Sequence, residues 1–345
     1  MKICIVYSSP KLGDVILQLP FIKLISETFK KKVVLCINGH LNIKSILINQ
    51  DYIEDIIENR FGRKQYFFQD LLKLYKNLKN YKFDRIYIFE KTKMALIASI
   101  FAGIKKRYAY GIGVEKIFLS NLTNCLTKEH LKYNYTEQSK IFMKKLGFND
   151  ANFNQNFLKV SKNECQTLLN KFNQYKKPWV ALGIDSNETN RIWPMENFAK
   201  LVDRLIDDKK VSFFFVLNQN RDSDNIDYFK DLQNFSKNKN KLLDCKIFDR
   251  NEIIKILSIS DYFIGIDSGP SCISASMSKK TFCIFGATDK NLPQFTSMIK
   301  IISDHYSNDR EIGKLRCGDN FDQTNWEVKT ITVQKVYESI KKEIN

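Results

Sequence analysis

The chain has 345 residues, 43% of them hydrophobic, and 55 Lys and Arg against 38 Asp and Glu give a net charge of +17. At roughly 100–200 residues per domain, that length suggests two domains, and the composition supplies ordinary cores and excludes a disordered chain. The most apolar stretch, Met94 to Ile104, lies between Lys91, Lys93 and Lys105, Lys106, Arg107. It falls short of the ~20 apolar residues that a bilayer demands, so a buried helix is expected rather than a membrane span.

The opening MKICIVYSSPKLGD carries only a short apolar run and reads as a first strand, Ile3–Tyr7, rather than as a signal peptide. A loop, Ser8–Gly13, leads into a helix from Asp14 to about Phe29, with Pro20 expected to kink it. Strands follow at Val33–Ile37, Tyr52–Ile57 and Arg85–Phe89, with helical spacing over Gln65–Leu78, Ala95–Ile104 and Tyr133–Leu146. Residues 148–163, rich in Asn and Lys, read as an inter-domain linker. The pattern then restarts. Strands are expected at Trp179–Ile184, Val211–Leu217, Tyr262–Ile266, Thr281–Phe285 and Ile299–Ile302, helices at Asn197–Ile206 and Asn251–Ile259, and a last amphipathic helix at Thr332–Ile344. Strands alternating with helices predict parallel sheets, and two such arrays predict an α/β protein of two Rossmann-like domains with a cleft between them.

Eight cysteines, at 4, 36, 125, 165, 245, 272, 283 and 317, form no C-x-x-C pair, and several sit inside apolar runs, as reduced buried thiols of a cytoplasmic protein do. His40, His130 and His305 are far apart and show no zinc spacing. The positive charge suits nucleic acid, a phospholipid or a phosphorylated glycolipid, and does not choose among them. No recognition-helix, zinc or aromatic RNA-binding motif supports nucleic acid.

Three segments can carry chemistry. In Lys11-Leu12-Gly13-Asp14, Gly13 lets a ligand approach the backbone closely, and Asp14 stands where the first strand gives way to the helix. A carboxylate there can act as a general base; an Asp at a helix start is equally a preferred N-cap, and the two roles can coexist. Asp185–Arg191, DSNETNR, follows a strand with small polar residues and one guanidinium, a set that suits a phosphate or simply a solvated loop; Trp193 beside it is expected in the core. In Asp261–Ser276, a buried strand ends at Asp267, Ser268-Gly269-Pro270 turns, and a helix of small residues begins. Backbone amides at that helix start would make an anion site, and small side chains permit a pyrophosphate to come close. Gly111-Ile112-Gly113 lacks the third glycine of a dinucleotide fingerprint, and no Walker-A lysine is present, so a nicotinamide dehydrogenase and a P-loop kinase are disfavoured.

Taken in order, GDVILQLPFIKLI, RIWPMENFAKLVDRL, DYFIGIDSGPSCISASMSKKTFCIFGATD and ITVQKVYESIKKEI resemble glycosyltransferase family 9, which includes the ADP-heptose:lipopolysaccharide heptosyltransferases. The resemblance spans nearly the whole chain. It implies a GT-B fold: an acceptor-binding domain over 1–155, a nucleotide-sugar-binding domain over 165–330 and a C-terminal helix over 331–345. It implies inverting transfer of a sugar, heptose from ADP-heptose, to a lipopolysaccharide core acceptor. No D-x-D pair follows a strand where the donor diphosphate would sit, so neither a metal nor a cofactor is expected. Carried over by position, Asp14 is the base. Gly13, Ser186, Asn187, Arg191, Asp267, Ser268, Gly269 and Pro270 serve the donor, with Phe248 near the nucleotide base. The expected partners are a nucleotide sugar and an anionic glycolipid, met by a cytoplasmic protein lying peripherally on the inner membrane. Many members carry a histidine where this chain has Cys272, and a thiol does not replace an imidazole. A family member using another nucleotide sugar, or an inactive glycolipid-binding relative, is the alternative.

Overall fold

The structure is a computed structural model that describes every residue except 62–63, 91, 187–188, 219–226, 287–294, 305–326 and 345. His305, Cys317 and the turn residues 287–289 lie outside the described residues. Contacts divide the chain into two units, Met1–Phe153 and Asn154–Asn345.

In the first unit the strands β1 (Ile3–Tyr7), β2 (Val33–Asn38), β3 (Ile53–Asn59), β4 (Arg85–Ile88) and β5 (Lys106–Ala109) alternate with α1 (Leu12–Phe29), α2 (Lys44–Leu47), α3 (Phe67–Tyr81) and α4 (Lys93–Phe101); α5 (Tyr135–Lys145) follows. They form one parallel sheet in the order β3-β2-β1-β4-β5. Residues of β1 and β2 are buried throughout, as helices on both faces of a parallel sheet require. After β3 the chain returns to the far side of β1, so the carboxyl ends of β1 and β4 flank the point where the winding reverses, the usual ligand position in such sheets. The outer edge of β5 is closed by the chain that follows it: Ser120 N–H donates to Arg107 C=O at 2.7 Å, and Leu126 N–H to Tyr110 C=O at 2.7 Å.

The second unit opens with α6 (Lys162–Phe172) and continues with β6 (Trp179–Gly183), α7 (Met195–Asp207), β7 (Phe213–Leu217), α8 (Tyr228–Phe235), β8 (Leu242–Asp244), α9 (Arg250–Ile259), β9 (Tyr262–Ile266), α10 (Gly269–Ser276), β10 (Thr281–Phe285), β11 (Met298–Ile302), α12 (Glu327–Thr330) and α13 (Val333–Lys341). Its parallel sheet runs β11-β10-β9-β6-β7-β8, with the reversal between β6 and β9. Trp193 lies in the core as expected, fully buried, its indole N–H donating to Ile331 C=O at 2.9 Å.

Several expectations need correction. α1 begins at Leu12, two residues before Asp14, because Lys11 and not Asp14 occupies the N-cap position. α4 ends at Phe101, which is 70% exposed, so the apolar stretch is not buried along its whole length. The division between the units falls inside the 148–163 segment, whose second half packs into the second unit. Phe157 and Leu158 are buried, and their N–H groups reach Ser276 C=O at 2.8 and 3.3 Å.

Candidate active site

At the reversal point of the first sheet, Tyr7 ends β1 and the loop Ser8–Lys11 climbs into α1. Asn38 Nδ2 donates to Ser8 C=O at 3.3 Å, and His40 bridges Asn38 Oδ1 and the Pro10 carbonyl at 2.8 and 3.1 Å, so the next strand pins the loop. Asp14 stands in the first turn of α1, where helix amides favour negative charge. The buried Ser9 hydroxyl donates to Asp14 Oδ2 at 2.7 Å and accepts from Lys11 N–H at 3.2 Å. Asp14 is thus the third residue of α1 and not its N-cap residue, and Ser9 orients its carboxylate. Gly13 lies beside it within the same turn.

A second carboxylate meets this loop. Glu90 follows β4, and the adjacency of β1 and β4 brings its Oε2 to 2.5 Å from the Ser8 hydroxyl, which donates. Its φ of 136° lies in a region that side-chain-bearing residues rarely adopt, backbone strain of the kind found at functional positions. Burial pushes the Glu90 carboxyl up to about 7 and the nearby Asp14 charge adds to this, while the Ser8 hydrogen bond opposes it. Beside it lies a small recess with a largely apolar lining, whose walls include Glu90, Thr92, Leu96, Ala109, Tyr110 and Ile112. The Tyr110 hydroxyl is held by Ser139 at 3.0 Å, and Ser139 by Gln18 of α1 at 2.7 Å. Sequence reasoning missed Glu90. Its only local sign was an acid directly after a buried strand, in IYIFEK.

In the second unit the structure brings two predicted segments together. Arg191 Nη1 donates to Asp267 Oδ2 at 3.2 Å, joining the loop after β6 to the loop after β9. Asp185, Ser186 and Asp267 are all buried at the carboxyl ends of these neighbouring strands. Ser268, Gly269 and Pro270 open α10, but not as three equal donors. Pro270 has no N–H, and the Ser268 N–H turns back to Ser271 Oγ at 3.2 Å, leaving Gly269 as the amide of the three able to donate to a ligand. Cys272, one turn into α10, is buried. Phe248 lies beyond β8, where its ring meets Phe172 at 6.3 Å and Lys171 Nζ at 4.8 Å. Asn187 lies outside the described residues. Among the described residues no group of three or more His, Cys, Asp or Glu could hold a metal ion, and no helix is long and apolar enough to cross a membrane.

Comparison with known proteins settles the family. Residues 71–320 match the profile of glycosyltransferase family 9 (heptosyltransferase). The chain belongs to glycosyltransferase family 9. A family 9 glycosyl transferase from Veillonella parvula superposes with a TM-score of 0.76 at 14% identity, over 99% of this chain and 96% of that one. E. coli ADP-heptose lps heptosyltransferase II gives 0.73 at 15% identity over 99% and 98% of the two chains. An E. coli heptosyltransferase solved with ADP-2-deoxy-2-fluoro heptose gives 0.67 at 13% identity over 99% of each. Sequence comparison finds no relative among curated proteins. This family 9 chain is thus a glycosyltransferase of the GT-B class, built of two α/β units that each carry a parallel sheet.

Proposed function

We propose that the chain transfers heptose from ADP-heptose, with inversion and without a metal, to a hydroxyl of an anionic glycolipid core acceptor. The observation that carries this reading is the Arg191–Asp267 pair, which sets a guanidinium beside the start of α10 at the reversal point of the second sheet. That set suits a phosphate: a cation that can grip two oxygens, an amide at Gly269 and the positive end of a helix. Asp267 fixes the guanidinium so that it need not be ordered when the diphosphate arrives. Ser186 lines the same strand ends, and Asn187 and Phe248 complete the proposed donor set.

In this mechanism Asp14 takes the acceptor hydroxyl's proton as the oxygen attacks the anomeric carbon from the face opposite the diphosphate. The bond from that carbon to the phosphate oxygen breaks, and its electron pair leaves with the diphosphate. Arg191 and the Gly269 amide stabilise the charge that builds there. ADP and heptose as donor parts are supported by what the two E. coli enzymes are said to use or hold. An anionic, membrane-borne acceptor suits the net charge of +17. It also suits the exposed Phe101, Ile117 and Phe118 beside Lys105, Lys106 and Lys116, where Arg107 Nε donates to Phe118 C=O at 2.8 Å.

The test is transfer from ADP-heptose, in excess EDTA, to a heptose-free core glycolipid in anionic vesicles. Release of ADP should require the acceptor, the acceptor should gain one heptose mass, and added salt should slow the reaction. Abolition by EDTA with rescue by magnesium would overturn the metal-free mechanism, and release of a different nucleotide from a different sugar donor would replace ADP-heptose.

A further inference from the structure

We propose that Glu90 joins Asp14 as a catalytic carboxylate pair that takes the attacking hydroxyl's proton. This rests on the glycosyl-transfer reading and deepens it by naming a second proton-handling group.

Geometry carries the inference. Consecutive residues at the end of β1 each hold one acid: Ser8 holds Glu90 at 2.5 Å and Ser9 holds Asp14 at 2.7 Å. The two carboxylates therefore share one small region at the reversal point, one from the β1 side and one from the β4 side. The strained backbone at Glu90, φ 136°, turns the chain so that the residue both meets Ser8 and lines the pocket. The pocket's lining is largely apolar, with Leu96, Ala109 and Ile112 among its walls, so Glu90 is a carboxyl set at the edge of an apolar recess. Among the described residues the titratable groups around Glu90 include Tyr7 of β1, Asp14 of α1, Lys93 of α4, Tyr110 past β5 and Tyr135 of α5.

The step balances without further reactants. The acceptor O–H bond breaks and its proton passes to the ionised pair. The oxygen bonds to the anomeric carbon, and the diphosphate leaves with the electrons of the broken C–O bond. The pair returns its proton to water before the next turnover. A carboxyl held near 7 by burial and by Asp14 is matched to proton transfer at neutral pH. It must be ionised to accept, so turnover should fall as the pH drops through about 7.

The experiment compares the full-length wild type, Glu90→Gln and Glu90→Asp by melting temperature, ADP affinity and transfer rate from pH 5.5 to 8.5. Glu90→Gln should keep ADP affinity within about twofold, lose roughly 10²-fold or more in kcat, and lose the acid limb centred near 7. Glu90→Asp should recover part of the rate, with a displaced limb and a raised KM for the acceptor. A Glu90→Gln enzyme with wild-type kcat and an unchanged limb would overturn the proposal. Should the Gln variant fail to fold, an Asp variant with wild-type kcat and profile would overturn it equally. A wild type that transfers from no nucleotide sugar would sink the glycosyl-transfer reading itself, a different outcome from either.

Discussion

Ionising Glu90 costs the folded chain more than the unfolded one, because the folded carboxyl titrates near 7 rather than near 4.5. The sign follows from linkage. A raised folded value means stability that is fully present below about 4.5 and lost as the pH climbs through 7. Above that range the ionised side chain costs the fold on the order of 3 kcal/mol, since each tenfold change in proton affinity is worth about 1.4 kcal/mol. Glutamine can still accept from Ser8 and never ionises. Glu90→Gln should therefore melt higher than the wild type at pH 8, with the gap closing towards pH 4.5. A gap independent of pH would show that Glu90 is not buried as a charge. Gain of stability with loss of turnover, in one substitution, is what a strained functional residue predicts. Asp14 could be named as a candidate from the sequence because its signal is local: a strand, a glycine, an acid and a helix. Glu90 was not, because it reaches Ser8 only through a sheet order in which the fourth strand lies beside the first, and no local window of sequence displays that order.

The second sheet repeats a short phrase where its winding reverses. β6 leads into Gly183-Ile184-Asp185-Ser186 and β9 into Gly265-Ile266-Asp267-Ser268, with Gly183 and Gly265 in register. A Cβ on Gly265 would stand 2.4 Å from Gly183 C=O and 2.8 Å from its Cα and N, all backbone atoms that have no side-chain freedom with which to yield. Gly183 in turn receives the Phe263 ring, 2.7 Å from where its own Cβ would be. Gly265→Ala should therefore push β6 from β9 at the point where Arg191 and Asp267 meet. It should cost about 1–3 kcal/mol of stability, the scale of overpacking, and weaken ADP binding as well. Calorimetry with ADP checks the second effect; undiminished affinity would mean that the two loops do not serve the donor. The long apolar strands were readable because burial on both faces writes a continuous hydrophobic run. Two of the four edge strands were not. β5, Lys106-Arg107-Tyr108-Ala109, opens with two cations and reads as a flank, and β8 has only three residues. α6 had a readable start that went unused, a capping box in which Ser161 and Glu164 satisfy each other's backbone N–H at 2.9 and 3.2 Å.

At the scale of the molecule the same device appears in each unit: a parallel sheet whose winding reverses, with polar residues gathered at that point. In the first unit the gathered groups are acids held by serine hydroxyls; in the second they include a guanidinium beside a helix start. On the proposed reading one set handles a proton and the other a leaving diphosphate, the two charges that separate when a nucleotide sugar is transferred to a hydroxyl. The alternation of strands and helices made both units legible, since periodicity is local. What each reversal point assembles depended on which strands become neighbours. The most direct test is Asp14→Asn, assayed for acceptor-dependent ADP release from ADP-heptose and for ADP affinity. Asp14 is not the helix cap, and Asn can still accept from Ser9, so folding should change little. Turnover should fall by roughly 10²–10⁴-fold, with ADP affinity near that of the wild type. An Asn variant that turns over like the wild type would contradict a base at Asp14 and would place it elsewhere.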